Sequence, residues 1–249
     1  MAPSPQSGRP HLTPFIMLSC EHAGNRVPEP WTEAFAGAEA DLNSHRGYDE
    51  GVLPVALRFA SDLGAPLLLS TVSRLVVEPN RSEDSPGLLS EYTRGLHEDD
   101  KREILAAHYT PLRSRAIQLV DLAAAAGLTT LHISIHSFTP VFEGARRSVE
   151  VGVLFDPARR AEREIGERWI EAIRDRTGLD TRANEPYEGV ADGHTTALRR
   201  CFASWLYLGL ELEVRSDLLA DAERAETLAG VLCGALKEAM DPSAGPTPS

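Results

Sequence analysis

No stretch of this chain approaches the roughly 20 consecutive apolar residues that span a bilayer, so no transmembrane helix is expected. Cysteine is scarce. Cys20, Cys201 and Cys233 form an odd, widely spaced set, which argues against a disulfide framework and a Cys-x-x-Cys zinc knot and points to a reducing, cytoplasmic setting. Positive charge is also in short supply: 25 Lys and Arg face 37 Asp and Glu, for a net charge of -12. That balance disfavours nucleic acid and anionic membrane as partners. An anionic small molecule stays open as a substrate wherever local arginines reverse the field. The opening "MAPSPQSGRPHL" lacks the apolar core of a signal peptide, so residues 1–12 read as a tail and the Pro- and Ser-rich residues 241–249 as another. A length of 249 residues suffices for a full core, and one α/β domain is expected over residues 13–240.

Between the tails, short apolar runs alternate with longer segments of helical period, the α/β pattern. Strands are expected at Phe15–Cys20, Pro66–Thr71, Leu131–Ile135, Val149–Phe155 and Leu208–Val214, and helices at Gly51–Leu63, Asp99–Ala125, Ala158–Thr177 and Asp221–Met240. Pro111 is expected to kink or divide the second helix. The reactive residues avoid the helices and gather where strands end: Glu21 and His22, Arg74 to Arg81, His136, and Glu211 to Arg215. Ligands of open α/β sheets collect at such ends, so these clusters are expected to converge on one pocket.

In "FIMLSCEHAGNRVPEP" an apolar run stops and an acid and an imidazole follow at once. "LHISIHSFTP" sets His132, Ser134 and His136 on one strand face, with His136 at the exit. His132 reads as a core histidine bonded to backbone, and His136 as a partner for His22. Two histidines and a carboxylate with one open position are the usual catalytic zinc set. Glu21 and Asp49 compete for the carboxylate. Adjacent strand-end residues point opposite ways, which weakens Glu21. Asp49 in "SHRGYDEGV" precedes a helix and is the expected ligand, with a plain helix N-cap as its alternative. His45 is either a supporting partner or exposed. Arg74 and the pair Asn80-Arg81 in "STVSRLVVEPNRSED" suit an anion, because guanidinium binds carboxylate bidentately and an amide adds a donor. In "YLGLELEVRSDLL", Glu211, Glu213 and Arg215 share one strand face, fit either for proton transfer beside a metal or for a solvated acidic surface.

Together these pieces resemble the N-formylglutamate amidohydrolase family, through "SCEHAGNRVP", "HRGYDEGV", "SRLVVEPNR", "HSFTP" with "VGVLFD", "NEPYEGVADGHT" and "GLELEVRSDLL", in that order from Ser19 to Leu219. The resemblance implies a three-layer sandwich like the zinc carboxypeptidases, with a mixed, mostly parallel sheet between helices and a metal at the strand ends. It also implies an amidase that cleaves an N-acyl amino acid, typically N-formyl-L-glutamate in histidine breakdown. By the same resemblance, His22 and His136 look like the metal histidines and Asn80-Arg81 like the grip on a substrate carboxylate. Glu213 looks like the general base in preference to Glu211, and Asn184, Tyr187 and Gly189 like a loop shaping the pocket, with Arg215 a further substrate contact. One departure stands out. The carboxypeptidase pattern has a carboxylate three residues after the first histidine, where this chain has Asn25.

The expected chemistry is therefore a zinc-activated water, with Glu213 moving its proton and Arg74 helping to stabilise the oxyanion. Two rivals are a hydrolase using Cys20 or Ser19 with His22, and a binding protein that kept the fold without the metal.

Overall fold

The computed structural model describes residues 14–241. Apart from Asp241, the two expected tails lie outside the described residues. Among the described residues eight strands form: β1 (Phe15–Cys20), β2 (Leu67–Leu69), β3 (Thr130–Phe138), β4 (Val141–Phe142), β5 (Ala145–Arg146), β6 (Val151–Leu154), β7 (Thr181–Ala183) and β8 (Tyr207–Arg215). The α-helices are α1 (Glu39–Leu42), α2 (Val52–Leu63), α3 (Glu98–Ile104), α4 (Thr110–Ala125), α5 (Arg160–Thr177), α6 (His194–Cys201) and α7 (Ala222–Met240).

Six strands make one sheet in the order β2-β1-β3-β8-β6-β7, while β4 and β5 form a separate hairpin. Strands β2, β1, β3 and β8 run parallel; β6 opposes β8, and β7 follows β6. The mixed, mostly parallel sheet flanked by helices is the architecture expected above. The four parallel strands bring the ends that carry Glu21, His136 and Glu213 to one edge, in a register that pairs His136 with Glu213.

The period-2 alternation of the strands decides what each helix covers. One sheet face carries Leu18, Cys20, Ile133, Ile135, Leu210 and Leu212, packed against Val55 and Phe59 of α2, Trp169 of α5 and Leu236 of α7. Each such side chain contributes about 1.5–3 kcal/mol on full burial. Met17 and Tyr207 face the other side, where they meet Ala116, Leu119 and Val120 of α4 and Leu198 of α6. The same side carries His132, Ser134 and His136, all buried. Burial of so many polar groups is tolerable only if each finds a partner. His132 does so with hydroxyls and not backbone: its Nε2 lies 2.7 Å from Ser19 Oγ and its Nδ1 2.7 Å from Tyr207 Oη.

Several boundaries differ from the expectations. Strand β3 does not stop at Ile135, because β8 continues alongside it as far as the Phe138–Arg215 pair. The helix expected at Asp99–Ala125 is three pieces: α3, a π-turn over Leu105–Tyr109, and α4, with Pro111 in the first turn of α4. Proline costs nothing there, since first-turn N–H groups have no intrahelical partner. Strand β7, helix α6 and the β4–β5 hairpin were not read from the sequence; each is too short to show a clear period.

A buried ion pair joins α5, α6 and β8. Arg199 Nε donates to both Glu162 oxygens at 3.0 and 3.2 Å, and its Nη1 and Nη2 donate to the carbonyls of Gly189 and Gly209 at 2.5 and 2.7 Å. Glu162 also accepts from Gly209 N–H at 3.0 Å. Removing one partner leaves a buried charge alone. Arg199→Met is expected to cost about 3–5 kcal/mol in urea unfolding; a loss below about 1 kcal/mol would show the pair to be dispensable.

Candidate metal centre

Strand β1 ends at Cys20 and the next two residues diverge. Glu21 points toward Ser134 and His194, whereas His22 points toward Asp49 and Glu78. The loop that carries Asp49 is pinned here by a bond from Asp49 N–H to the His22 carbonyl, 3.1 Å. Gly51 follows in the left-handed region, φ 74°, as the cap of α2. A Cβ there would lie 2.6 Å from Leu219 Cβ, so both the conformation and the close approach require glycine. The Asp49 side chain does not cap α2.

Its Oδ2 instead lies 2.9 Å from His136 Nδ1 and 3.3 Å from His22 Nδ1, and accepts from Ser137 N–H at 3.3 Å. The two imidazole centroids are 5.1 Å apart. One donor atom from each of His22, Asp49 and His136 lies within 4.8 Å of the other two. Two nitrogens and an anionic oxygen facing one point are stable only with positive charge among them, whether a proton or a metal ion.

The far nitrogens are held as well. His22 Nε2 lies 2.5 Å from Glu78 Oε1. His136 Nε2 is 2.8 Å from Ser134 Oγ and 3.3 Å from Glu21 Oε2, and Ser134 Oγ donates to that same carboxylate oxygen at 2.8 Å. Because a carboxylate only accepts, each Nε2 carries a proton toward its acid, and each Nδ1 faces Asp49 across a gap that a proton or a cation must fill. Imidazoles backed by carboxylates in this way are the usual surroundings of a histidine-bound metal. The donor set fits a divalent ion of the zinc class.

The charges are strongly coupled. Burial pushes the Asp49 carboxyl up, but His22 and His136 outweigh it and hold the group well below the usual carboxylate range. Burial likewise opposes ionised Glu78, while Arg74 and His22 keep it low. Burial disfavours protonated His136, yet its bonds with Asp49 and Glu21 raise it well above an ordinary histidine. Glu21 is also held low against burial, by its bonds with His136 and His194. Glu213 goes the other way. Burial, reinforced by Asp49 and Glu211 and only partly offset by His136, raises it to about 8, and its Oε2 is buried without a partner.

A cavity of about 190 Å³ opens over these groups. It brings together His22, Asp49, His136, Arg74, Asn80, Arg81, Tyr187, Glu211 and Glu213 from the expected set. Arg74 is clamped by Glu78 at 2.6 Å and Asp49 at 3.3 Å. Asn80 Oδ1 accepts from His194 N–H at 2.7 Å, so only its amide nitrogen, 3.5 Å from His136 Nε2, faces the site. Glu211 takes the Thr195 hydroxyl at 2.5 Å.

Other expected residues are elsewhere. Arg215 lies outside the cavity wall: it pairs with Asp217 at 2.7 Å and Glu150 at 3.2 Å. Asn184 supports the wall without joining it, its Oδ1 accepting from Phe155 and Gly189 N–H at 3.0 and 3.2 Å. His45 lines a neighbouring cleft. Asn25 donates to the Leu42 carbonyl and to Asn43, both at 3.0 Å. Ser19 and Cys20 are fully buried, with Ser19 on His132 and not His22, so neither is placed as a nucleophile. Two functional neighbours went unread in the sequence, Glu78 and His194. The signal for Glu78 was an acid directly after the apolar Leu75-Val76-Val77, one step before Pro79-Asn80-Arg81.

A family model described as N-formylglutamate amidohydrolase matches residues 14–220. Among solved structures, the product of gene Atu2144 from Agrobacterium tumefaciens is 30% identical, with TM-score 0.77, covering 91% of this chain and 90% of its own. N-formylglutamate amidohydrolase from Ralstonia eutropha JMP134 shares the fold at 16% identity, TM-score 0.63, covering 91% of this chain and 93% of its own. No curated protein matches the chain.

A raised Glu213 carboxyl makes metal-free protein bind more protons folded than unfolded between about pH 4.5 and 8. Its contribution to stability therefore falls as pH rises through that window. In chelator-treated samples, Glu213→Gln is expected to equal the parent near pH 4 and exceed it by a few kcal/mol above pH 8, at about 1.4 kcal/mol per unit. A difference that stays flat across urea titrations in this range would contradict it.

Proposed function

We propose that this chain, which belongs to the N-formylglutamate amidohydrolase family, is a zinc-dependent deacylase of N-acyl amino acids, with an N-formyl acidic amino acid such as N-formyl-L-glutamate as its substrate. The observation that carries the reading is the convergence of His22, Asp49 and His136 beneath one cavity, each imidazole backed by a buried carboxylate. Among the described residues no helix is long and apolar enough to cross a membrane, and none of the three cysteines is paired. Unpaired cysteines suit a reducing, cytoplasmic compartment, and a place in histidine breakdown follows from the proposed substrate alone.

His22, Asp49 and His136 would hold the ion. When bound there, zinc would supply a water of lowered pKa, toward about 7, and polarisation of a carbonyl oxygen. The residues do the rest. Glu213 takes the proton from the attacking water and returns it to the departing nitrogen, so the acyl C–N bond breaks to a carboxylic acid and an amine. A carboxyl raised toward neutrality suits both halves of that transfer. Arg81, which donates only to the carbonyls of Asn80 and Asp192, has N–H capacity left for the substrate α-carboxylate, and the Asn80 amide adds a donor. Arg74, locked between two acids, supplies a fixed positive field near the developing oxyanion. Tyr187 forms part of the wall against which the substrate lies.

The direct test is metal content with turnover of N-formyl-L-glutamate. Purified protein is expected to carry about one zinc, to lose turnover on chelation and to regain it on metal return. His22→Ala and His136→Ala should abolish both metal and turnover, while Glu78→Gln weakens metal affinity by about 10–100-fold. Zinc retained in both histidine variants, or turnover that survives chelation, would sink the reading. Arg81→Ala is expected to raise KM about tenfold or more with a smaller change in kcat, if its contact is alike in ground and transition states. An unchanged KM would remove Arg81 from the substrate site.

A further inference from the structure

The arginines in and around the cavity differ in what neutralises them. Arg74 is paired with Glu78 and Asp49, Arg199 with Glu162, and Arg215 with Glu150 and Asp217. Arg81 and Arg147 have no ion-pair partner among the described residues, although Arg81 feels the charge of nearby Glu78. Arg81 donates only to two carbonyls, and Arg147 Nη1 only to the Thr139 carbonyl and the Tyr187 hydroxyl, both at 3.3 Å. Among the described residues neither guanidinium has a carboxylate within ion-pair distance.

Arg147 follows β5 directly, and its guanidinium carbon lies 4.7 Å from the Phe142 ring centroid, 5.2 Å from that of Tyr187 and 5.4 Å from that of Phe138. Tyr187 is itself part of the cavity wall. Phe142 and Tyr187 leave 46% and 44% of their surface in solvent, so the cluster contributes little as core. Aromatic faces do, however, hold a guanidinium by cation–π attraction while leaving its N–H edge open. Here Nε and Nη2 of Arg147 have no protein acceptor among the described residues. The result is a pre-positioned, uncompensated cation beside the cavity mouth.

We propose that Arg147 is the second anion anchor of this site, receiving the side-chain carboxylate of an N-acyl dicarboxylic amino acid whose α-carboxylate sits at Arg81. The proposal rests on the deacylase reading above and adds the residue that selects the side chain. Two guanidiniums without an ion-pair partner match two carboxylates, whereas a substrate with a single carboxylate leaves one of them unused. Glu188, next to Tyr187, is an exposed carboxylate on the cavity rim. Solvent screens it, and it does not reach Arg147 as a partner. An isosteric amide cannot accept two parallel N–H bonds as a carboxylate does, so selection is by charge and direction together.

The test is steady-state kinetics on N-formyl-L-glutamate and its neutral isostere N-formyl-L-glutamine, for the parent, Arg147→Met and Arg147→Lys. The parent is expected to favour the glutamate substrate by about tenfold or more in kcat/KM. Arg147→Met should collapse that preference toward one, through a loss of about 10–100-fold on the glutamate side, chiefly in KM. Arg147→Lys, which keeps the charge but loses the planar fork, should recover part of it. An equal loss on both substrates with the preference intact would overturn the anchor and leave Arg147 a structural support of the rim. A parent enzyme that does not distinguish the two substrates would overturn it as well. A parent that cleaves neither would overturn the deacylase reading itself and the anchor with it, an outcome visible before any variant is made.

Discussion

Positive charge held among buried acids is the constraint on which the rest of this structure depends. Glu21, Asp49 and Glu78 are each less than a tenth exposed, and burial alone would drive each toward its neutral form. They stay ionised because His22, His136, His194 and Arg74 face them at hydrogen-bonding distance. Breaking such a network by removing one member leaves a stranded charge, which is far costlier than never having built it. The acids and imidazoles must therefore arrive together: parallel β1 and β3 bring Glu21, His22 and His136 to one edge of the sheet, loops bring Asp49, Arg74 and Glu78, and the start of α6 brings His194.

That requirement propagates into the strands. On one sheet face β3 and β8 supply Leu131, Ile133, Ile135, Leu208, Leu210, Leu212 and Val214 to the core under α2, α5 and α7. On the opposite face the same strands carry His132, Ser134, His136 and Glu211, satisfied hydroxyl by imidazole by carboxylate, and Glu213 beside them. Glycine keeps room where this face is crowded. A Cβ on Gly152, whose register partner is Glu213, would lie 2.0 Å from the Glu185 carbonyl and 3.2 Å from Glu213 Cβ. A larger residue would push the loop bearing Tyr187, or the candidate base, out of place. Glu213 itself is the unsatisfied member, with one buried oxygen unpartnered. Such a group is expensive in a purely structural role, and it sits where a proton must be moved.

Much of the site was legible in the residues because strand-end chemistry is local. An apolar run that stops at an acid and an imidazole marks Glu21 and His22, and alternation along β3 puts His132 and His136 on one side of the sheet. The opposite pointing of neighbours at a strand end separated His22 from Glu21, and the structure has them so. The supporting residues were less visible. Glu78 and His194 reach the histidines and Glu21 across 56 and 173 positions of chain, and no local pattern marks a contact of that range. Arg215 meets the same limit. Its strand face was read correctly, but nothing local announced that Glu150 and Asp217 would take its guanidinium.

By itself, then, the sequence determined the α/β class, the main strands and helices, and the residue types that gather at strand ends, since all of these follow from short-range period and composition. Only the tertiary structure decided which nitrogen of each histidine faces inward, which arginines are already neutralised and which acids back the imidazoles. Those properties depend on distances between residues far apart in the chain, and such distances exist only once the sheet has assembled.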